Sequence, residues 1–235
     1  MKKAIWIIAV LGLVLTAAVL AFLPETVPVH FDAAWNPDRW GSRWELLLLP
    51  AVLLLLAGIF TLVMNVWEKK VEGAENDKVR AEALTNRKAS GIAGISTVSM
   101  LVLIFAWLLL RISRAAADGG AAADSALDRL PFILMGLIFI VLGNIMPKTR
   151  RNGFIGFRIS WSMYNDVTWR RTHRFSGYVM VAAGVLMILA AALISPPLAA
   201  TAVLLALAAT ALLVTLVYAH KVYREEKERS GQDEN

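Results

Sequence analysis

Six long apolar runs, at residues 4–23, 46–66, 89–110, 130–146, 175–194 and 199–218, constrain this chain more than any other feature. Each is 17 to 22 residues long, which is the length a helix needs to cross a hydrocarbon core of about 30 Å. Apolar residues make up 58% of the 235-residue chain, above the ~45–50% of an ordinary soluble domain. Inside lipid every backbone N–H and C=O must find a partner within the protein, and a lone apolar segment satisfies that only as a helix. The expectation is an all-α fold: a polytopic membrane protein built as a six-helix transmembrane bundle.

Lys2 and Lys3 ahead of the first run also fit the start of a cleaved signal peptide. The run is longer than such a segment, however, and no small-x-small cleavage pattern precedes Pro24. It reads as a retained first helix. With six spans both termini share a side, together with loops 67–88 and 147–174. Nineteen of the 24 Lys and Arg fall there, and only Arg39, Arg43, Arg111, Arg114 and Arg129 fall opposite. Cationic loops stay in the cytoplasm, so both termini are expected to be cytoplasmic. The net charge of +6 is then a topology signal that also attracts anionic headgroups, and no direct nucleic-acid role is needed to explain it. Trp44 and Trp67 bracket the second run, with Trp6, Trp107 and Trp161 near other interfaces, as an aromatic belt requires.

The connections differ in character. Residues 24–45 are rich in Pro, Trp and charge and suggest a folded outer cap. Residues 67–88 alternate in sign and read as a solvated helical extension or loop. Residues 111–129 are Ala- and Gly-rich and read as a plain connector. Ser195-Pro196-Pro197 reads as a tight turn that makes the last two spans a helical hairpin. The charged tail 221–235 is expected to fray. Small residues recur in the spans (Ser90 with Gly94, Gly136 with Gly143, Gly177 with Gly184) and mark packing seams.

Much chemistry is missing. The span interiors hold essentially no Asp, Glu, Lys or Arg, the usual mark of proton relays and ion pathways. Asn65 and Asn144 are the main polar groups at depth, and Asn144 is expected to make an interhelical hydrogen bond or a C-terminal cap. A cavity lined by Asn65, Asn144 and small residues would be the alternative reading, a small-molecule or lipid transporter. His30, Asp32 and Asp38 have the side chains of a metal site, and a membrane-embedded enzyme would use them at the outer face. They lack a second His on that side, so no metal and no cofactor is expected. With no Cys there are no disulfides and no thiol catalysis. No hydrolase elbow, phosphate-binding glycine loop or His-Glu-x-x-His pattern is present, and the chain does not read as an enzyme.

The stretch 143–174 is richer. Lys148, Arg150, Arg151, Arg158, Arg170, Arg171 and Arg174 crowd one membrane surface, interleaved with Gly153, Gly156, Phe154, Phe157 and Trp161. Orientation alone requires cations but neither glycines nor aromatics, so a structured loop is expected. Arg158 sits among apolar residues and must snorkel, pair with Asp166, or receive an anionic or carbonyl partner.

These residues carry a resemblance. Gly143-Asn144, Pro147-Lys148, Arg151-Asn152-Gly153-Phe154-Ile155-Gly156-Phe157-Arg158, Trp161, and Trp169-Arg170-Arg171-Thr172-His173-Arg174 resemble the pattern of the SdpI family of bacterial membrane proteins. The N-terminal half is similar to a domain of unknown function often found before it, through Leu23-Pro24, Val27-Pro28-Val29-His30-Phe31-Asp32 and Asp38-Arg39. Ser160 and Ser162 depart from the family's usual Pro and Thr, and Trp35 stands where a Gly usually follows the His-Phe pair.

The resemblance implies a division into 1–88, 89–220 and a tail 221–235. It also implies an integral membrane immunity and signalling protein. Such a protein protects against a secreted peptide toxin at the outer face and sequesters an ArsR-type repressor at the cytoplasmic face. The residues it nominates for toxin or partner binding are Asn144, Pro147, Lys148, Arg151, Asn152, Gly156, Arg158, Trp161, Trp169, His173 and Arg174, with His30, Phe31 and Asp32 outside.

Overall fold

The computed structural model describes residues 1–32, 35–117, 126–194 and 197–232. Its long helices are α1 (Lys2–Leu20), α2 (Leu48–Glu72), α3 (Asp77–Ala117), α4 (Leu130–Ile145), α6 (Asp166–Leu193) and α7 (Pro197–Gln232). A short α5 (Ser160–Met163) precedes α6, and a two-stranded antiparallel ribbon, β1 (Thr26–Phe31) with β2 (Pro37–Ser42), follows α1. All six long helices are apolar and long enough to cross a membrane. The expected all-α polytopic bundle is what forms, with the ribbon as the folded cap of 24–45.

The exterior carries the membrane argument. Leu48, Leu55 and Leu62 recur every seventh residue along α2, and each is more than 60% exposed. A soluble bundle would bury that stripe, whereas lipid solvates it as well as a protein core does. Inside, Ile5 and Ala9 of α1, Leu53, Ala57 and Met64 of α2, and Val98 of α3 make one core. Ala89 and Ala93 of α3 meet Ile145 of α4, joining it to the second half of the chain.

Helices α4 and α6 touch backbone to backbone. A Cβ placed on Gly136 would lie 2.6 Å from the Gly184 carbonyl oxygen, and one on Gly143 would lie 2.8 Å from that of Gly177. The glycines of α4 and α6 therefore do mark a seam, each facing its counterpart on the other helix, whereas Gly94 packs against Ile5 and Phe60. Sequence spacing shows which residues share a face and leaves the facing partner open.

Arginines fasten one end of the bundle, where the ribbon lies. The last carbonyls of a helix lack intrahelical partners. Arg43 donates to those of Leu20 (3.4 Å) and Leu23 (2.6 Å) just past α1, and Arg129 donates to that of Ala192 on α6 at 2.7 Å. Arg111 is buried, bonds both Asp128 oxygens at 3.2 Å and gives its other nitrogen to the Trp35 carbonyl at 3.0 Å. Residues 111–129 are thus more than a plain connector: their ends hold a buried ion pair against the ribbon. Trp35 itself has φ +65°, a conformation glycine adopts without steric cost. Its ring meets Trp107 edge-on, with centroids 4.7 Å apart, and this contact accompanies the strained backbone.

The other end holds the N-terminus and the last turns of α7. Lys2 donates to Asn65 at 2.7 Å and pairs with Glu68, which also receives Arg87 at 2.8 Å. Asn65 thus anchors the N-terminus. Residues 77–88 are helical, and α3 runs through 88 and 89 without a break. The tail expected to fray continues α7 as far as Gln232. Ion pairs Arg171–Glu225 at 2.8 Å and Arg229–Glu226 at 3.3 Å lie along it, so a polar composition is organised here by charge pairing. The Ser195-Pro196 turn lies outside the described residues.

Candidate functional site

The loop between α4 and α6 is a compact structure built around Asn152. This side chain is buried, and its amide nitrogen donates to the carbonyls of Arg150 (2.7 Å) and Ile155 (3.1 Å). Its oxygen accepts the N–H groups of Phe154 and Ile155, both at 2.8 Å. One Asn thus satisfies both donors and acceptors of a turn, as Asx turns do. The turn delivers Ile155 to the Ala89–Ala93–Ile145 cluster and places Phe154 edge-on to Trp67 of α2, with centroids 5.6 Å apart.

The turn leads to Gly156, whose φ is +116°. A Cβ there would collide with the Nε2 atom of His173 and lie 3.0 Å from Trp169. Glycine is required twice over, by dihedral and by space. The next residue, Phe157, donates its N–H to His173 Nε2 at 3.0 Å, while His173 Nδ1 lies 2.8 Å from the Trp169 carbonyl. An acceptor at Nε2 and a donor at Nδ1 define one neutral tautomer. The fully buried ring stacks on Trp169 at 3.7 Å, and the Trp169 indole N–H donates to the Thr149 carbonyl at 3.1 Å.

The start of α6 is fixed by a capping box. Asn165 accepts from the Thr168 N–H at 2.8 Å, and the Thr168 hydroxyl accepts from the Asn165 N–H at 3.0 Å. Ser162 donates to the Ile159 carbonyl at 3.0 Å and to that of Phe157.

Of the nominated residues, Asn152, Gly156, Trp169 and His173 converge. Arg151 ion-pairs with Asp166 at 3.0 Å and reaches the Met163 and Tyr164 carbonyls, so Asp166 is not the partner of Arg158. Arg158 is exposed and makes no ion pair among the described residues. Trp161 lies edge-on to His220 of α7 at 4.6 Å, and Pro147 packs against Gly177. Lys148 is exposed, as is Arg174, whose Nε donates to the Tyr178 hydroxyl at 3.3 Å. Among the described residues Asn144 makes neither an interhelical bond nor a cap: it is exposed and donates to the Ile140 carbonyl of its own helix at 2.8 Å. That bond satisfies half of an amide locally, which suits a helix end near the headgroups.

Asn86 was not singled out by sequence. It is buried on α3 and accepts the Arg150 N–H at 2.9 Å, tying the loop to the first half of the chain. The available signal was an uncharged amide within a charged run, three residues before Ala89.

His30, Phe31 and Asp32 lie at the ribbon end. His30 Nδ1 is 2.6 Å from Asp38 Oδ1 across the ribbon, and Asp32 bonds the N–H and side chain of Asn36 at 2.8 and 3.2 Å. The three acidic and imidazole groups do not converge on one point, and no metal-holding group occurs among the described residues. Both partners of the His30–Asp38 pair are largely exposed. Asp38→Asn should therefore lower the melting temperature only slightly, reflecting less than ~1 kcal/mol; a larger loss would show that the pair orders the ribbon. Beside it, Phe31, Trp35, Phe132, Met135 and Leu204 line an apolar cleft of about 320 Å³.

Comparison with known proteins finds likeness in two segments of the chain. Residues 148–219 match the SdpI/YfhL protein family. That likeness takes in the loop, α5, α6 and much of α7. Residues 7–54 match a domain of unknown function, DUF1648, which covers most of α1, the ribbon and the start of α2. Over 187 residues the chain is 22% identical to the immunity protein SdpI of Bacillus subtilis, covering 79% of each. A 44-residue stretch is 56% identical to an uncharacterized protein of Archaeoglobus fulgidus, covering 19% of this chain and 24% of that relative's length. No solved structure matches. The chain is a multi-pass membrane protein, and the Asn152–Gly156–His173 structure lies within the segment that matches SdpI/YfhL.

Proposed function

We propose that this protein confers immunity, protecting the membrane that holds it against a secreted peptide toxin. The observation that carries this reading is the likeness to the Bacillus subtilis immunity protein across 79% of both chains, more than the loop motifs alone span. In this reading both termini are cytoplasmic, the ribbon faces outward, and its apolar cleft receives part of the toxin. The loop of Asn152, Gly156 and His173 faces the cytoplasm and presents Arg158 to a protein partner, an ArsR-type repressor. Toxin would then have to favour one packing of the helices energetically, since a ligand indifferent to two states shifts neither. No catalytic step is assigned to the protein.

The test is survival of toxin-sensitive cells that express the chain and are challenged with a secreted killing peptide of matching type. Protection is expected. Arg158→Ala is expected to abolish it while leaving membrane insertion and melting temperature unchanged within about 0.5 kcal/mol, the usual scale for an exposed side chain without partners. Normal protection by Arg158→Ala would remove Arg158 from the mechanism. No protection by the wild-type chain, despite confirmed insertion, would overturn the immunity reading.

A further inference from the structure

Between the membrane-exterior part of α3 and the start of α6 lies a cleft of about 570 Å³, unrelated to the apolar cleft at the ribbon. Lys78, Arg150, Arg151 and Arg170 contribute cations to its wall, Glu82 and Asp166 contribute carboxylates, and Thr85 and Trp169 complete the floor. Asp166 is already neutralised by Arg151 at 3.0 Å. Among the described residues no carboxylate ion-pairs with Arg150, Arg170 or Lys78, which leaves three cations against Glu82 alone.

Two of those cations stand on fixed bases. The Arg150 backbone is held by Asn86 at 2.9 Å, and Arg170 follows the buried, hydrogen-bonded Trp169 on α6. Guanidinium groups on rigid supports lose less freedom on binding than those of a mobile loop. The cleft also opens beside the first turn of α6, where the helix dipole adds positive potential.

We propose that this cleft binds a phosphate group. Planar guanidinium forks bind phosphate oxygens in pairs, which a single ammonium cannot do. Depth decides which phosphates have access. Thr85 precedes Ala89, the first residue of its apolar run, by four positions, or about 6 Å along the helix. The floor therefore lies at headgroup level and the rim, at Lys78, beyond it. The phosphate of an anionic lipid headgroup and a free phosphate in solution can both enter. This inference is independent of the immunity reading.

The full-length protein would be examined in two arms. In the first, native mass spectrometry counts phosphatidylglycerol retained after detergent extraction. In the second, calorimetry follows pyrophosphate binding to protein in nanodiscs of phosphatidylcholine alone. Retention in the first arm identifies a lipid source, and heat in the second a soluble one; either supports the site. Arg150→Gln with Arg170→Gln should weaken whichever binding is seen roughly tenfold or more. Arg224→Gln with Lys227→Gln removes the same charge from the exposed part of α7 and should leave binding as in the wild type. Equal losses in both double variants would reduce the effect to general surface charge and overturn the site. So would an absence of binding in both arms, or displacement of neither phosphate alongside tight binding of a polyglutamate peptide. Unchanged melting of both variants confirms that the fold is intact.

Discussion

Gly184→Val is expected to separate α4 from α6 and to be among the most damaging single substitutions in the bundle. A Cβ on Gly184 would lie 2.5 Å from the Gly136 carbonyl oxygen and 3.0 Å from the Ile140 nitrogen. Both are backbone atoms of a helix and cannot rotate away as a side chain would. A Val adds two further methyls to that point. Helix association in lipid depends on close packing more than on apolar burial, because lipid tails solvate Leu as well as another helix does. A seam held open by one residue therefore loses contact along its length, including at Gly143 and Gly177 seven residues away on each helix. Overpacking ordinarily costs ~1–3 kcal/mol, and a backbone collision beside a second tight backbone contact puts this case at about 3 kcal/mol. Reversible unfolding in detergent or bicelles measures it. Gly58→Ala on α2 is the control, since nothing lies within 4 Å of the added Cβ; that variant should melt as wild type or slightly higher, as Ala favours helix. A Gly184→Val protein with wild-type stability would mean that α4 and α6 do not meet backbone to backbone.

How far the fold was legible in sequence depends on the range of the interaction. The six spans were readable because hydropathy over about twenty residues is a local property. Residues 77–88 and 221–232 were harder. Their alternating charges describe a solvated surface equally well as loop or helix, and the choice is made by i,i+3 and i,i+4 pairs and by pairing with a neighbouring helix, as Arg171 does with Glu225. The buried Arg111–Asp128 pair was hidden because each residue looks like ordinary loop charge until the ribbon covers it. Arg158 shows the same limit: proximity in sequence suggested Asp166, but the Asn152 turn directs Arg151 there instead. Trp35 stands where a Gly usually follows the His-Phe pair, and its positive φ gives that departure a physical meaning. For the candidate site, Asn152, Gly156, Trp169 and His173 could be selected as a group. Their mutual geometry, and the part played by Asn86, depended on a chain reversal that no periodicity encodes.

Asn152→Ala is expected to unfold the loop while leaving the six helices in place. The substitution strands the carbonyls of Arg150 and Ile155 and the N–H groups of Phe154 and Ile155. A buried polar group left without a partner costs ~1–3 kcal/mol. Some of these groups will recover water as the loop opens, so a local loss of about 3 kcal/mol is the reasonable scale, or roughly a hundredfold in the opening equilibrium. Opening withdraws the Phe157 N–H from His173 and moves Phe154 from Trp67 and Ile155 from α3. Hydrogen exchange of the 152–157 amides should accelerate by that factor, and trypsin should cut after Arg151 or Arg158 sooner. The melting temperature of the bundle should move little, because the α1–α2–α3 core and the α4–α6 seam make no use of Asn152. Asn152→Asp separates the two halves of the side chain. It keeps both acceptor contacts with Phe154 and Ile155 but turns oxygen toward the two carbonyls, so exchange should fall between wild type and Ala. His173→Ala should accelerate exchange of the Phe157 amide in particular, since it removes the Nε2 acceptor of that N–H. If Asn152 and His173 hold one cooperative unit, the double variant opens less than the sum of the two single effects predicts. Strict additivity would mean two independent anchors, and unchanged exchange in Asn152→Ala would mean that the turn is held by something other than this side chain.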